Sequence, residues 1–270
     1  MVTRVIVAAI FIPIILAVVL LLPPVALSIS FAVLSAIGVY ELIWSTGLLK
    51  HPRLVVYAVV FAALVPVWAF FGSRPEPAAA ALFLFVFVLF LEAMFGRHAT
   101  FSQIAGVFFA CVVIPFFFSS FVRVGLLPLG RIYAVMIFLF PFASDAGGYF
   151  VGMRFGRRKL APGISPHKTV EGSIGCFIGS VVCTVIFGLI LTQVFSYTVR
   201  YGVLILYAIL GSAVSQLGDL AFSFIKREFG LKDFGKLFPG HGGVLDRFDS
   251  VLFAAPLLEI LYRVLPAIGS

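Results

Sequence analysis

Residues 78–95, AAAALFLFVFVLFLEAMF, run without a break in apolar character and carry one charge, Glu92. About 20 such residues, rising ~1.5 Å each as a helix, cross a hydrocarbon core of roughly 30 Å. Comparable runs occupy 5–22, 25–45, 54–72, 104–122, 132–152, 173–195, 201–225 and 248–265. The expected fold is therefore all-α, a polytopic integral membrane protein of about nine transmembrane helices. Composition agrees, with 62% hydrophobic and only 11% charged residues, where soluble domains carry about 25% charged residues. A soluble globular domain is excluded.

The first run follows Arg4 and ends at Pro23-Pro24 without a small-residue cleavage site, so it reads as a retained span and not a signal peptide. With the N-terminus in the cytoplasm, only Arg74, Arg123, Arg131, Arg200 and Arg263 of the 19 Lys and Arg fall outside. That positive-inside bias supports the orientation and an odd number of spans, with the C-terminus outward. The net charge of +8 is spread over loops between spans, which gives no surface for a nucleic acid. Cys111, Cys176 and Cys183 lack metal-ligand spacing and read as packing residues. No internal repeat is visible. Residues 1–130 read as scaffold and lipid-facing helices. Residues 131–270 hold the polar inventory and two cytoplasmic loops, 153–172 and 228–245.

Three sets of polar residues stand out inside apolar helices. Asp145 interrupts span six and is followed by Gly148 and Gly152; an ionisable residue there normally faces a cavity, a partner or a metal. It could instead reach Arg154 or Arg157. On span eight, Ser212, Gln216, Asp219, Ser223 and Lys226 recur at intervals of three and four and share one helical face. Such a stripe lines a polar cleft or glues helices together. Asp246 and Asp249 share a face at the start of span nine. Like charges so close call for a cation between them, or for a helix N-terminus that welcomes negative charge. A site built of carboxylates suits a hard ion such as Mg²⁺ better than zinc.

The loop GKLFPGHGG, Gly235–Gly243, places glycines beside Lys232, Lys236, His241 and Arg247, the composition of a phosphate cradle. Ser165-Pro-His-Lys168-Thr169 is a second basic, hydroxyl-bearing stretch expected at the same membrane face. Glu41 and Glu92, at the cytoplasmic ends of spans two and four, could serve the site, but they read first as interfacial ion-pairing residues and are left outside it. Glu259 and Arg263 read as a structural i,i+4 pair.

The run SFIKREFGLKDFGKLFPGHGGVLDRFD, Ser223–Asp249, resembles the signature of the phosphatidate cytidylyltransferases, or CDP-diacylglycerol synthases, at every defined position. Ser144-Asp145-Ala-Gly-Gly-Tyr149, the Ser165–Gly172 stretch, Pro23-Pro24 and Tyr40-Glu41 extend the resemblance over nearly the whole chain. Cys176 stands where the family usually has a small residue.

The resemblance implies an enzyme that transfers CMP from CTP to phosphatidic acid, releasing pyrophosphate, with Mg²⁺ and at the cytoplasmic face of the plasma (inner) membrane. It also implies a homodimer. Asp219 and Asp246 are then first choices as metal ligands, with Asp145 and Asp249 second or serving a second cation. Lys226, Arg227, Lys168 and Arg247 would bind phosphates, with Ser165, Ser223, Lys232, Gly242 and Gly243 in the substrate site. His241 would sit near the triphosphate. Two rivals are a CTP-dependent kinase acting on a polyprenol or phytol-like lipid, and an ion-coupled transporter using the intramembrane acids.

Overall fold

The computed structural model describes residues 13–49, 51–72, 75–96, 99–238 and 242–269. The helices among them are α1 (13–21), α2 (Pro24–Thr46), α3 (Pro52–Phe71), α4 (Pro75–Gly96), α5 (Phe101–Gly125), α6 (Gly130–Phe155), α7 (Val170–Gln193), α8 (Tyr201–Glu228) and α9 (Leu245–Val264). In a bilayer core no water is available to satisfy backbone N–H and C=O groups, so long apolar segments close their hydrogen bonds internally as helices. Seven of them, α2 to α8, are long and apolar enough to cross a membrane. The chain is a helical membrane protein.

The expected ninth span is helical, but α9 carries Asp246, Arg247, Asp249, Glu259 and Arg263 within its 20 residues, which is why it falls short of a simple apolar crossing. Of the expected first span, 5–22, residues 13–21 form α1, and 5–12 lie outside the described residues. Four short strands were not foreseen: β1 (Lys159–Ala161) with β2 (Ser165–Thr169), and β3 (Thr198–Val199) with β4 (Ile268–Gly269), each pair antiparallel.

The helix ends are written locally. Proline opens α2, α3 and α4, at a position where its missing N–H would have had no intrahelical partner. Thr100 and Gln103 form a capping box at α5. Gly47 and Gly72 close α2 and α3 in the left-handed region, where a side chain would be strained.

Two compact units result. One comprises Met1–Gly130 with Phe229–Arg247, the other Arg131–Glu228 with Phe248–Ser270. In the first unit α2 packs on α3 and α5. Phe31 stacks on Phe121 with ring centroids 4.4 Å apart, and Phe61 stacks on Phe85 at 4.3 Å. Ser28 donates to the Pro66 carbonyl at 3.1 Å, tying α2 to α3. The Gly-rich loop belongs to this unit with the N-terminal helices.

In the second unit α6 meets α7 almost backbone to backbone. A Cβ on Gly147 would lie 2.3 Å from the Gly175 carbonyl oxygen, and one on Gly179 would lie 2.5 Å from that of Ala143. Small residues permit such approach in lipid, where dispersion and not water exclusion drives helix association. Tyr133 stands edge-on to Tyr262, and its hydroxyl accepts from the Ile268 N–H at 2.8 Å. Tyr207 donates to the Leu265 carbonyl at 2.7 Å. These tyrosines fasten the C-terminal end, and Glu259 pairs with Arg263 at 3.2 Å as expected.

Gly147→Val should therefore cost about 1–3 kcal/mol of stability, the usual price of overpacking. Gly202→Ala, which has open space around its Cβ, should not. Thermal unfolding in detergent would show the difference, and equal effects would refute the close-packing account.

Candidate active site

The polar face of α8 divides into two halves with different roles. Toward its N-terminal end it holds helices together: the Ser212 and Ser144 hydroxyls bond at 2.9 Å, and Gln216 reaches Ser212 at 3.3 Å while accepting from Ser173 at 2.5 Å. Toward its C-terminal end it carries charge. The Asp219 carboxylate is ion-paired through Oδ2 with the Lys168 ammonium, both side chains about a quarter exposed. Its Oδ1 accepts from Ser223 at 3.2 Å. Lys226 is buried one turn further on.

Asp249 comes to this group because α9 lies directly on α8. A Cβ on Gly218 would sit 2.6 Å from the Asp249 carbonyl oxygen. Asp219 and Asp145 both repel the Asp249 carboxylate electrostatically, and Lys226 attracts it. Asp249 is thus within electrostatic range of Asp219, Asp145 and Lys226, and Lys168 is paired with Asp219.

Lys168 is delivered by the β1–β2 hairpin, in which Ala161 pairs with Ser165 and Lys159 with Thr169. Thr169 accepts from the Gly172 N–H at 3.1 Å and caps α7. Glu171 Oε2 accepts from the Arg157 and Arg158 N–H groups at 2.9 and 3.2 Å, anchoring the approach to the hairpin. Arg227 donates to the Ile164 carbonyl at its tip, 3.3 Å away. A cavity of about 460 Å³ lies beneath, lined by Asp145, Tyr149, His167, Lys168, Cys176 and Gln216 among others. That volume falls in the range of small-molecule sites. Ser165 is half-buried on the hairpin.

In the first unit the described ends of the Gly-rich loop meet carboxylates of the protein itself. Asp246, expected as a metal ligand, accepts through Oδ2 from the Phe234 and Gly243 N–H groups at 2.8 and 2.9 Å. Gly242 has φ +81°, and a Cβ there would meet Asp246 Oδ2 at 2.6 Å. Lys232 and Arg247 are exposed. His241 lies outside the described residues.

Glu41 is the residue that sequence reasoning left out of the site. Its two oxygens accept from the Val244 and Leu245 N–H groups at 2.9 and 3.0 Å, at the start of α9. It is 7% exposed. An acid in an otherwise apolar helix was the signal available, but its partners are more than 200 residues away in the chain.

No set of three His, Cys, Asp or Glu side chains among the described residues is arranged to hold a metal ion by itself. The donors are nonetheless hard oxygens. Mg²⁺ takes one or two carboxylates and completes its shell with water and substrate phosphates, so the Asp145, Asp219 and Asp249 group fits it in kind.

The sequence profile of the Cytidylyltransferase family matches residues 2–265. The chain belongs to this family. A Thermotoga maritima member named phosphatidate cytidylyltransferase is 32% identical over 231 residues, 85% of this chain and 84% of its own. One of the same name from Bacillus subtilis is 37% identical over 182 residues, 67% of this chain and 66% of that protein. One from Staphylococcus saprophyticus is 44% identical over 132 residues, 49% of each chain. The family match takes in the α8 carboxylate, the hairpin lysine and the Gly-rich loop together.

The two halves of the α8 stripe should separate experimentally. Ser212→Ala should lower stability by about 0.6 kcal/mol, the average for an interhelical hydrogen bond in lipid, and leave the family reaction near wild type. Thermal unfolding and turnover of the purified variant check this, and lost turnover in a folded Ser212→Ala protein would contradict the division.

Proposed function

We propose that this chain catalyses the phosphatidate cytidylyltransferase reaction, in which phosphatidate displaces pyrophosphate from CTP to give CDP-diacylglycerol. The observation that carries this reading is the alignment of 85% of the chain with a relative of that name. The geometry supports it: a cavity lined by Lys168, His167 and the Asp145 carboxylate sits on helices that are apolar enough for a lipid substrate to reach along them.

Two anions must be brought together for this reaction, so most of the work is neutralisation and alignment. Lys168 pairs with Asp219 in this structure, and an incoming phosphate competes with that carboxylate for the ammonium. Lys226, buried against Asp249, sets the local potential from the α8 side. Arg227 holds the hairpin tip in place, and Glu171 holds its base. The attacking phosphate oxygen is already ionised, so no general base is required. Collapse of the pentacovalent α-phosphorus then breaks its bond to the β-phosphate.

We further propose that Mg²⁺ is required and that Asp219, with Asp145 and Asp249, holds it. Bound there it would neutralise charge on the phosphates and steady the leaving pyrophosphate. Under the same proposal the site faces the cytoplasm from the plasma membrane, where CTP is available, and the chain acts as a homodimer.

Detergent-purified protein given radiolabelled CTP should form a chloroform-soluble cytidine product only with phosphatidic acid and Mg²⁺ both present. EDTA should stop it and added Mg²⁺ restore it. Asp219→Asn should lower turnover by on the order of 10²-fold or more, in line with losing a principal electrostatic contact. A folded wild-type sample that puts no label into lipid under any condition would defeat the reading.

A further inference from the structure

The Glu41 carboxylate is buried in α2 and belongs to none of the groups that face the cavity. Its Oε1 and Oε2 take the N–H groups of Val244 and Leu245, the first turn of α9, where a helix leaves N–H donors without intrahelical partners. Two loop glycines close over it. A Cβ on Gly235 would come 2.4 Å from Oε1, and one on Gly243 would come 2.3 Å from the same atom; for Gly243 each of the three nearest atoms belongs to Glu41. Asp246 accepts from the N–H groups of Phe234 and Gly243. The described ends of the loop, 234–235 and 243–245, thus meet carboxylates of the protein, one of them supplied by a distant helix. Its Lys232, Lys236 and Arg247 side chains are left exposed, where a soluble polyanion can meet them.

We propose that Glu41 is a positioning residue for nucleotide binding: it fixes the Gly-rich loop so that the loop's exposed cations are set to receive the triphosphate of CTP. The inference rests on the transferase reading above. Glu41 touches no substrate and acts through the backbone of 243–245. The glycines at 235 and 243 are required by the Glu41 carboxylate, not by a phosphate approaching the backbone.

The test is kinetic and uses a double-variant cycle on the full-length protein in detergent. Glu41→Gln keeps the shape of the side chain but offers one acceptor in place of two. It should raise the KM for CTP about tenfold, the scale of one hydrogen bond to a charged group, while the KM for phosphatidate stays close to wild type and a cooperative thermal transition shows that the protein is folded. Gly243→Ala should impair the enzyme when Glu41 is present and add little to Glu41→Ala, because the three nearest atoms its methyl would strike are then gone. A Gly243→Ala penalty that persists undiminished in the Glu41→Ala background would overturn the proposal and return that glycine to direct phosphate contact. So would a Glu41→Gln effect confined to kcat or to the KM for phosphatidate. If Glu41→Ala does not fold, the Glu41→Gln kinetics decide alone. Wild-type protein without activity would point instead to failure of the transferase reading.

Discussion

A carboxylate on a membrane helix persists only where something answers its charge, and the acids of this chain are answered in several ways. Asp219 meets the Lys168 ammonium and the Ser223 hydroxyl. Glu41 and Asp246 meet backbone N–H groups. Glu259 meets Arg263 one turn along its own helix. Asp249 has Lys226 in attractive range but two carboxylates in repulsive range. Desolvation makes an unanswered charge costly by several kcal/mol, so these partnerships dictate where the hairpin, the loop and α9 can lie. The second unit brings Asp249 within electrostatic range of Asp219, Asp145 and Lys226.

Placing Lys168 beside Asp219 depends on backbone geometry that only small residues allow. Gly148 and Gly152 on α6 face the start of α7, where a Cβ on Gly148 would meet the Cys176 sulfur at 2.4 Å and one on Gly172 would meet Thr169 Oγ1 at 2.9 Å. The hairpin therefore runs straight into α7 through the Thr169 cap, and β2 carries Lys168 one residue before that cap. The same Gly-Gly-Tyr stretch that looks like a local motif is a requirement of a contact between three helices.

Much of this was legible in the sequence because the bilayer enforces simple rules. Apolar run length located the helices, and the intervals between Ser212, Gln216, Asp219, Ser223 and Lys226 gave a single polar face. What spacing could not reveal was the change of role along that face. Ser212 and Gln216 bond to Ser144 and Ser173, and partner identity is a property of neighbouring helices. The β1–β2 hairpin was hidden because its strands are three and five residues long, too short for periodicity to register. Glu41 was read as interfacial, since nothing near it in sequence shows that α9 begins against it. Asp246 and Asp249 were taken as a pair from their spacing, yet their carboxylates keep different company, loop N–H groups for one and Asp219 with Lys226 for the other.

The Gly-rich loop shows why composition alone misassigns such a feature. Glycines and converging N–H groups make a place for an anion, and reading that anion as a phosphate is the natural step. Here the described N–H groups of Phe234, Gly243, Val244 and Leu245 are already donated to Asp246 and Glu41, and that of Phe238 to the Gly242 carbonyl. The anions the glycines make way for are the protein's own. Beside these bonded N–H groups the Lys232, Lys236 and Arg247 side chains stand exposed.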